Sequence, residues 1–288
     1  MMKINMPLST DAQKLQVSPT GTAAKSPGME RYDTRNRDLG ALMTSQGATK
    51  NAPSPGGARV GSFWRESLTL MEQYVPFGRR KVRTEDRVYL CGEAFDTLYL
   101  ISMGLFKIVN LAPDGREQPA GLYFKGDWLG FDGIPRGRHG CSAIALDSGE
   151  VWTIRYDALL AASAKEPILM RVVLAAMSSQ LARNRDAMLA MGTLPADARV
   201  ADFLLQWAFS LAERGLRTDQ INVHMTRADI GNYLGLTLES VSRALSRLAR
   251  NGVIEFNEKG RRDISIPNLT ALSDFIQKST DPSGQVLQ

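Results

Sequence analysis

Cysteine and histidine are scarce in this chain, whose 288 residues carry two of each. Cys91 and Cys141 cannot build a four-thiolate cluster or a Cys-only zinc site on one chain, and the nearest histidine, His139, adds at most one ligand. No metal or other cofactor is therefore expected. Long apolar runs are missing as well: the richest, Ile168 to Met177, is too short for a membrane helix and is interrupted by Arg171. The N-terminus lacks the apolar core of a secretory signal, so a cytoplasmic protein with no membrane contact is expected. There is also no nucleophile–base–orienter set, no phosphate-cradling glycine loop with a lysine and no metal-ligand spacing, so no enzyme is expected.

Hydrophobic residues make up 43% of the chain, enough for real cores, and the length suits two globular domains plus a tail. The formal charge of +5 and pI near 9.3 suit a polyanionic partner, although many proteins with this balance never touch one. Residues 1–59 are dominated by Ser, Thr, Pro, Gly, Ala and scattered charges, with Tyr32 as the single aromatic. Such a segment cannot bury enough to offset ordering, and it reads as a disordered tail.

An amphipathic segment, Phe63 to Tyr74, leads into a β-rich region within a domain set at 60–157. Its strand candidates are Val88–Leu90, Leu98–Ile101, Leu105–Leu111, Gln118–Phe124, Ser142–Leu146 and Val151–Tyr156. Turns fall at Cys91-Gly92, Met103-Gly104, Pro113-Asp114-Gly115 and Gly126-Asp127. The proline of the third presets the first turn dihedral and its glycine accepts the positive one that closes it. The spacing predicts an antiparallel barrel or sandwich.

Beyond Glu166-Pro167, within a segment set at 158–193, the period becomes helical and stays so until Met191. Met170, Leu174, Met177, Leu181, Asn184, Met188 and Met191 repeat at alternating steps of four and three, the pattern of a coiled-coil seam. A helix packed only on its own barrel would show much the same periodicity. Two features favour a dimer helix: the first half is apolar nearly all round, and Asn184 is a polar residue that can pair with itself across a two-fold axis.

The stretch from Thr226 to Gly252, inside a domain set at 194–272, reads as helix, tight turn, helix, glycine stop. Thr226 with Asp229 approximates a capping box, Gly235 supplies the left-handed dihedral that ends the first helix, and Thr237 caps the second. On that second helix Val241, Leu245 and Leu248 form the buried stripe, and Glu239, Ser242 and Arg243 lie on the opposite face. This arrangement offers base-reading side chains to the major groove of duplex DNA. Thr226, Thr237, Arg247 and Arg250 are expected near phosphates. Two short strands around Asn257 to Gly260 predict a wing, whose Lys259, Arg261 and Arg262 would meet backbone. Residues 273–288 are expected to form a C-terminal tail.

At this point the residues resemble the Crp/Fnr family of bacterial transcription regulators. The likeness is carried by Asp229-Ile-Gly-Asn-Tyr-Leu-Gly-Leu-Thr237 and by Phe124-Lys-Gly-Asp-Trp-Leu-Gly-Phe-Asp132. It implies an α+β architecture: an N-terminal jelly-roll barrel of the cyclic-nucleotide-binding type, a long dimerisation helix and a C-terminal winged helix-turn-helix. Within the Fnr branch, a Glu-x-x-Ser-Arg helix reads a TTGAT half-site of a two-fold operator, which implies that role for Glu239, Ser242 and Arg243. The resemblance also implies double-stranded DNA and RNA polymerase as partners, a homodimer, and activation more often than repression.

Cluster-holding members use N-terminal cysteines and one in the barrel. Here the segment before Phe63 has none, and the barrel position is matched by Trp152. Cyclic-nucleotide-binding members use a Gly-Glu and an Arg-Ser pair, where this chain has Gly130-Phe131 and His139-Gly140. The chain therefore looks more similar to cluster-lacking, FixK-like members, with no Fe–S cluster and no cAMP binding expected. A regulator gated by an unknown effector in the barrel is the alternative, and Cys91 and Cys141 are redox candidates, though isolated cysteines are usually inert.

Overall fold

A computed structural model of the chain describes residues 63–112, 115–257 and 263–280. The expected N-terminal tail, the Pro113-Asp114 pair and the wing residues Lys259, Arg261 and Arg262 lie outside these residues.

Helix α1 (Phe63–Tyr74) precedes eight strands: β1 (Gly78–Val82), β2 (Arg87–Tyr89), β3 (Thr97–Met103), β4 (Phe106–Leu111), β5 (Glu117–Tyr123), β6 (Trp128–Leu129), β7 (Ser142–Ala145) and β8 (Gly149–Arg155). They form two four-stranded antiparallel sheets, ordered β1-β8-β3-β6 and β2-β7-β4-β5. The inward positions, among them Val88, Ile101, Phe106, Leu129 and Val151, pack into one cluster. Each such buried side chain stabilises the fold by about 1.5–3 kcal/mol. The first sheet is buried on its other side too: Leu98, Leu100, Trp128, Trp152 and Ile154 pack on helices α1, α2 (Tyr156–Lys165) and α3 (Pro167–Thr193). Strand β1 has no counterpart in the sequence reading. It is Gly-Arg-Arg-Lys-Val at the sheet's edge with Val82 alone buried, so it carries no alternating pattern. Its basic side chains guard an otherwise unpaired edge.

Helix α3 has two apolar faces. Leu169, Val172, Val173 and Ala176 are buried against the barrel. The other side exposes Leu174, Leu181 and Met188 at 56%, 69% and 71%, with Asn184 exposed among them and Met170, Met177 and Met191 half-buried.

After Pro195 comes α4 (Ala196–Ala212), then β9 (Gln220–Asn222), α5 (Arg227–Leu234), α6 (Leu238–Arg250), β10 (Glu255–Phe256), β11 (Asp263–Ser265) and α7 (Leu269–Thr280). The three strands pair as β10-β11-β9. His224 stands just beyond β9 with Nε2 3.7 Å from Asp147. The expected domain end at residue 272 also falls inside a helix. Leu269, Leu272 and Ile276 recur on one face of α7 and are buried, so this domain runs to Thr280 rather than giving way to a tail at 273.

Barrel and C-terminal module share a core. Leu105, Phe124 and Leu146 belong to the same apolar cluster as Phe203, Trp207, Ile230 and Leu245. Beside that contact Arg214, only 6% exposed, reaches from the end of α4 to Asp127 of the barrel at 3.0 Å. It also donates to the carbonyls of Lys125 and Ser210, both at 2.6 Å, and lies over the Phe124 ring. The second oxygen of Asp127 takes Arg183 of α3 at 3.1 Å, so one carboxylate ties barrel, long helix and C-terminal module together.

Candidate nucleic-acid interface

The helix pair α5–α6 is assembled by short-range signals. The Asp229 N–H donates to Thr226 Oγ1 at 3.0 Å and the Thr226 N–H donates back to Asp229 Oδ2 at 3.2 Å, a reciprocal cap. Gly235, with φ of 65°, ends α5. Thr237 caps α6 by accepting from the Ser240 N–H at 3.1 Å. Gly231 has a role that spacing did not reveal: a Cβ there would stand 2.6 Å from the Leu236 carbonyl oxygen. That carbonyl belongs to the turn between the helices, so only a residue without a side chain lets the two approach this closely.

Val241, Ala244, Leu245 and Leu248 bury the inner face of α6. Its outer face bears Glu239 and Arg243, both exposed, and half-buried Ser242. The Glu239 carboxyl is held below its ordinary range by its own N–H, then by Thr237 and Arg243. It is therefore an ionised acceptor beside a guanidinium donor. Arg243 and Arg250 form no hydrogen bond or ion pair among the described residues, and they share a surface hollow with Ser242, Ser246 and Arg247.

The structure thus brings Glu239, Ser242, Arg243, Arg247 and Arg250 onto one helix. Thr226 and Thr237 sit at the helix starts with their hydroxyls engaged in caps. Arg247, expected to be free for phosphate, instead forms an ion pair with Asp197 of α4 at 2.6 Å.

In the barrel, Asp132 lies in the 3-10 turn Phe131–Gly133 between β6 and β7. Its Oδ2 accepts from the Gly140 N–H at 2.7 Å and the Cys141 N–H at 3.3 Å, and its Oδ1 from the Tyr89 hydroxyl at 3.3 Å. Burial pushes this carboxyl up, but its contacts with His139 and Cys141 and the Gly140 N–H outweigh that and leave it below the usual range. His139 is buried and stacked on Tyr89, ring centroids 3.8 Å apart. Burial, with Asp132 nearby, pushes the Cys141 thiol up to about 12, whereas Cys91 is exposed. Trp152 is buried and stacked on Phe77 at 4.3 Å.

A two-sheet barrel, a long helix and a capped helix-turn-helix with a small β-sheet define an effector-domain DNA-binding protein. Residues 79–166 match the cyclic nucleotide-binding domain family and residues 198–275 the Crp-like helix-turn-helix domain family. The chain is 33% identical to the fumarate and nitrate reduction regulatory protein of Escherichia coli (strain K12) over 197 residues, 68% of this chain and 78% of that protein. The namesake in Salmonella typhimurium is 33% identical over 195 residues, 68% and 77%. Among solved structures, FixK2 from Bradyrhizobium japonicum is similar at 30% identity and a TM-score of 0.62, covering 69% of this chain and 97% of that one. The chain belongs to the Crp/Fnr family and is a helix-turn-helix transcription regulator.

Proposed function

We propose that the protein acts in the cytoplasm as a homodimeric activator that reads a TTGAT-type palindrome and works beside RNA polymerase. The observation that carries this reading is the exposed outer face of α6. There Arg243 can donate a bidentate pair to guanine O6 and N7, Glu239 can accept from cytosine N4, and Ser242 can meet a thymine methyl or a base edge. Arg250 and the wing residues Lys259, Arg261 and Arg262 would flank the phosphates, with Thr226 and Thr237 at the helix starts. The exposed Leu174, Leu181 and Met188 support a partner helix along α3. In such a dimer the two recognition helices would stand roughly 34 Å apart, one turn of duplex.

A cyclic phosphate does not fit the barrel loop: Asp132 already takes the N–H groups of Gly140 and Cys141, and a second anion there would meet a carboxylate. A cluster does not suit the barrel either: Trp152, where the resemblance sets the barrel ligand, is buried and stacked on Phe77, and the sequence holds two cysteines. A gated version of the same regulator draws support from a cavity of about 130 Å³ between the modules, where Tyr123, Phe124, Phe203, Trp207 and Tyr233 converge. Its volume suits a compound of about one ring, and a rise in melting temperature with small aromatics would favour that version.

Selection of binding sites from random duplex by the purified protein tests the main reading. The expected outcome is a two-fold site built on TTGAT; a site without two-fold symmetry, or no enrichment, would refute it.

A further inference from the structure

Two of the three arginines in the hollow along α6, Arg243 and Arg250, have no hydrogen bond or ion pair among the described residues, and the third is already paired. Arg247 Nη1 lies 2.6 Å from Asp197 Oδ2, with the arginine half exposed and the carboxylate one-fifth exposed. Asp197 sits in the first turn of α4, two residues past Pro195, where the long helix gives way to the C-terminal module. A carboxylate and a phosphate present the same pair of acceptor oxygens to a guanidinium. The carboxylate paired with Arg247 is therefore an internal imitation of the DNA backbone.

We infer that Asp197 is a phosphate surrogate, and that duplex binding exchanges the Asp197–Arg247 ion pair for an Arg247–phosphate contact. The inference rests on the DNA-binding reading and adds a residue to it. In the free protein the pair holds Arg247 in place and cancels its charge. On the duplex Arg247 turns to a phosphate, and Asp197 is left as a bare negative charge close to the polyanion. The exchange carries no sequence information, so its effect is to lower affinity for every duplex alike. Base contacts by Glu239, Ser242 and Arg243 then weigh more heavily in the total.

The test is fluorescence anisotropy of the full-length protein with a TTGAT palindrome and a scrambled duplex across a range of salt. Asp197→Asn is expected to tighten binding to both duplexes by the same factor, about three-fold per protomer, the scale of one surface ion pair. It should also steepen the dependence of log affinity on log salt by about 1.8 for the two protomers, since each freed Arg247 now releases phosphate counterions outright. Arg247→Gln should change wild-type binding little but remove both gains from Asp197→Asn. An unchanged salt slope in Asp197→Asn would overturn the inference. So would a gain that survives in the double variant, because it would mark Asp197 as a general repulsive charge. Asp197→Ser repeats the test with a different side chain, and thermal melts report whether each variant keeps its fold. Wild-type preference for the palindrome over the scrambled duplex tests the DNA reading separately.

Discussion

The joint around Asp127 and the outer face of α6 use the same functional group, the guanidinium, in opposite ways. Arg214 is buried, and its donors are taken up by a carboxylate and two carbonyls. Arg243 projects into solvent with no hydrogen bond or ion pair among the described residues. A buried charge is tolerable only when it is paired and hydrogen-bonded, so Arg214 serves architecture. An exposed arginine that makes no hydrogen bond among the described residues contributes little to the fold and is available to a ligand. Burial together with hydrogen-bond satisfaction therefore separates arginines that build from arginines that read, which charge counting alone does not.

Breaking the joint should have the largest effect. Arg214→Gln takes the buried guanidinium from Asp127, which keeps Arg183 on its other oxygen, and from the Lys125 carbonyl, and should destabilise the protein by about 2–4 kcal/mol in urea unfolding; a loss below about 1 kcal/mol would mean the site is hydrated. Gly231→Ala comes next. It sets a methyl group against a backbone oxygen that cannot swing away, with an expected cost of about 1–3 kcal/mol in the same measurement. Arg243→Ala should leave the melting temperature unchanged and weaken binding to the palindrome by about 1–3 kcal/mol, relaxing one base position in a competition assay. If stability fell instead, Arg243 would belong with Arg214. The thiols repeat the contrast on the smallest scale. Near pH 8, iodoacetamide should label Cys91 and spare Cys141, whose thiolate is suppressed by burial; equal labelling of the native protein would contradict this.

What could be read from the sequence was what is encoded locally. Thr226, Asp229, Gly235 and Thr237 act within a turn or two of themselves, and the helix-turn-helix they predict is present with its caps intact. The strand candidates on the central β-rich runs match β2 to β5, β7 and β8 to within two residues at either end. Strand β1 was invisible because an edge strand with one buried residue shows no alternation. The C-terminal boundary was drawn too early, since the apolar stripe of α7 continues past Ser273 and Asp274 to Ile276. The long-range partnerships left no local trace. Arg183 reaches Asp127 across 56 positions and Arg214 reaches the Lys125 carbonyl across 89, and nothing near either end announces the other. The pairing of Asp197 with Arg247 was missed for the same reason.

Because Leu105, Phe124 and Leu146 of the barrel lie in one apolar cluster with the helices of the C-terminal module, the interior of that module is completed by the barrel. Pulling them apart would strand greasy surface on both, so heat should melt them as one unit, in a single calorimetric peak whose enthalpy equals that deduced from the curve's own steepness.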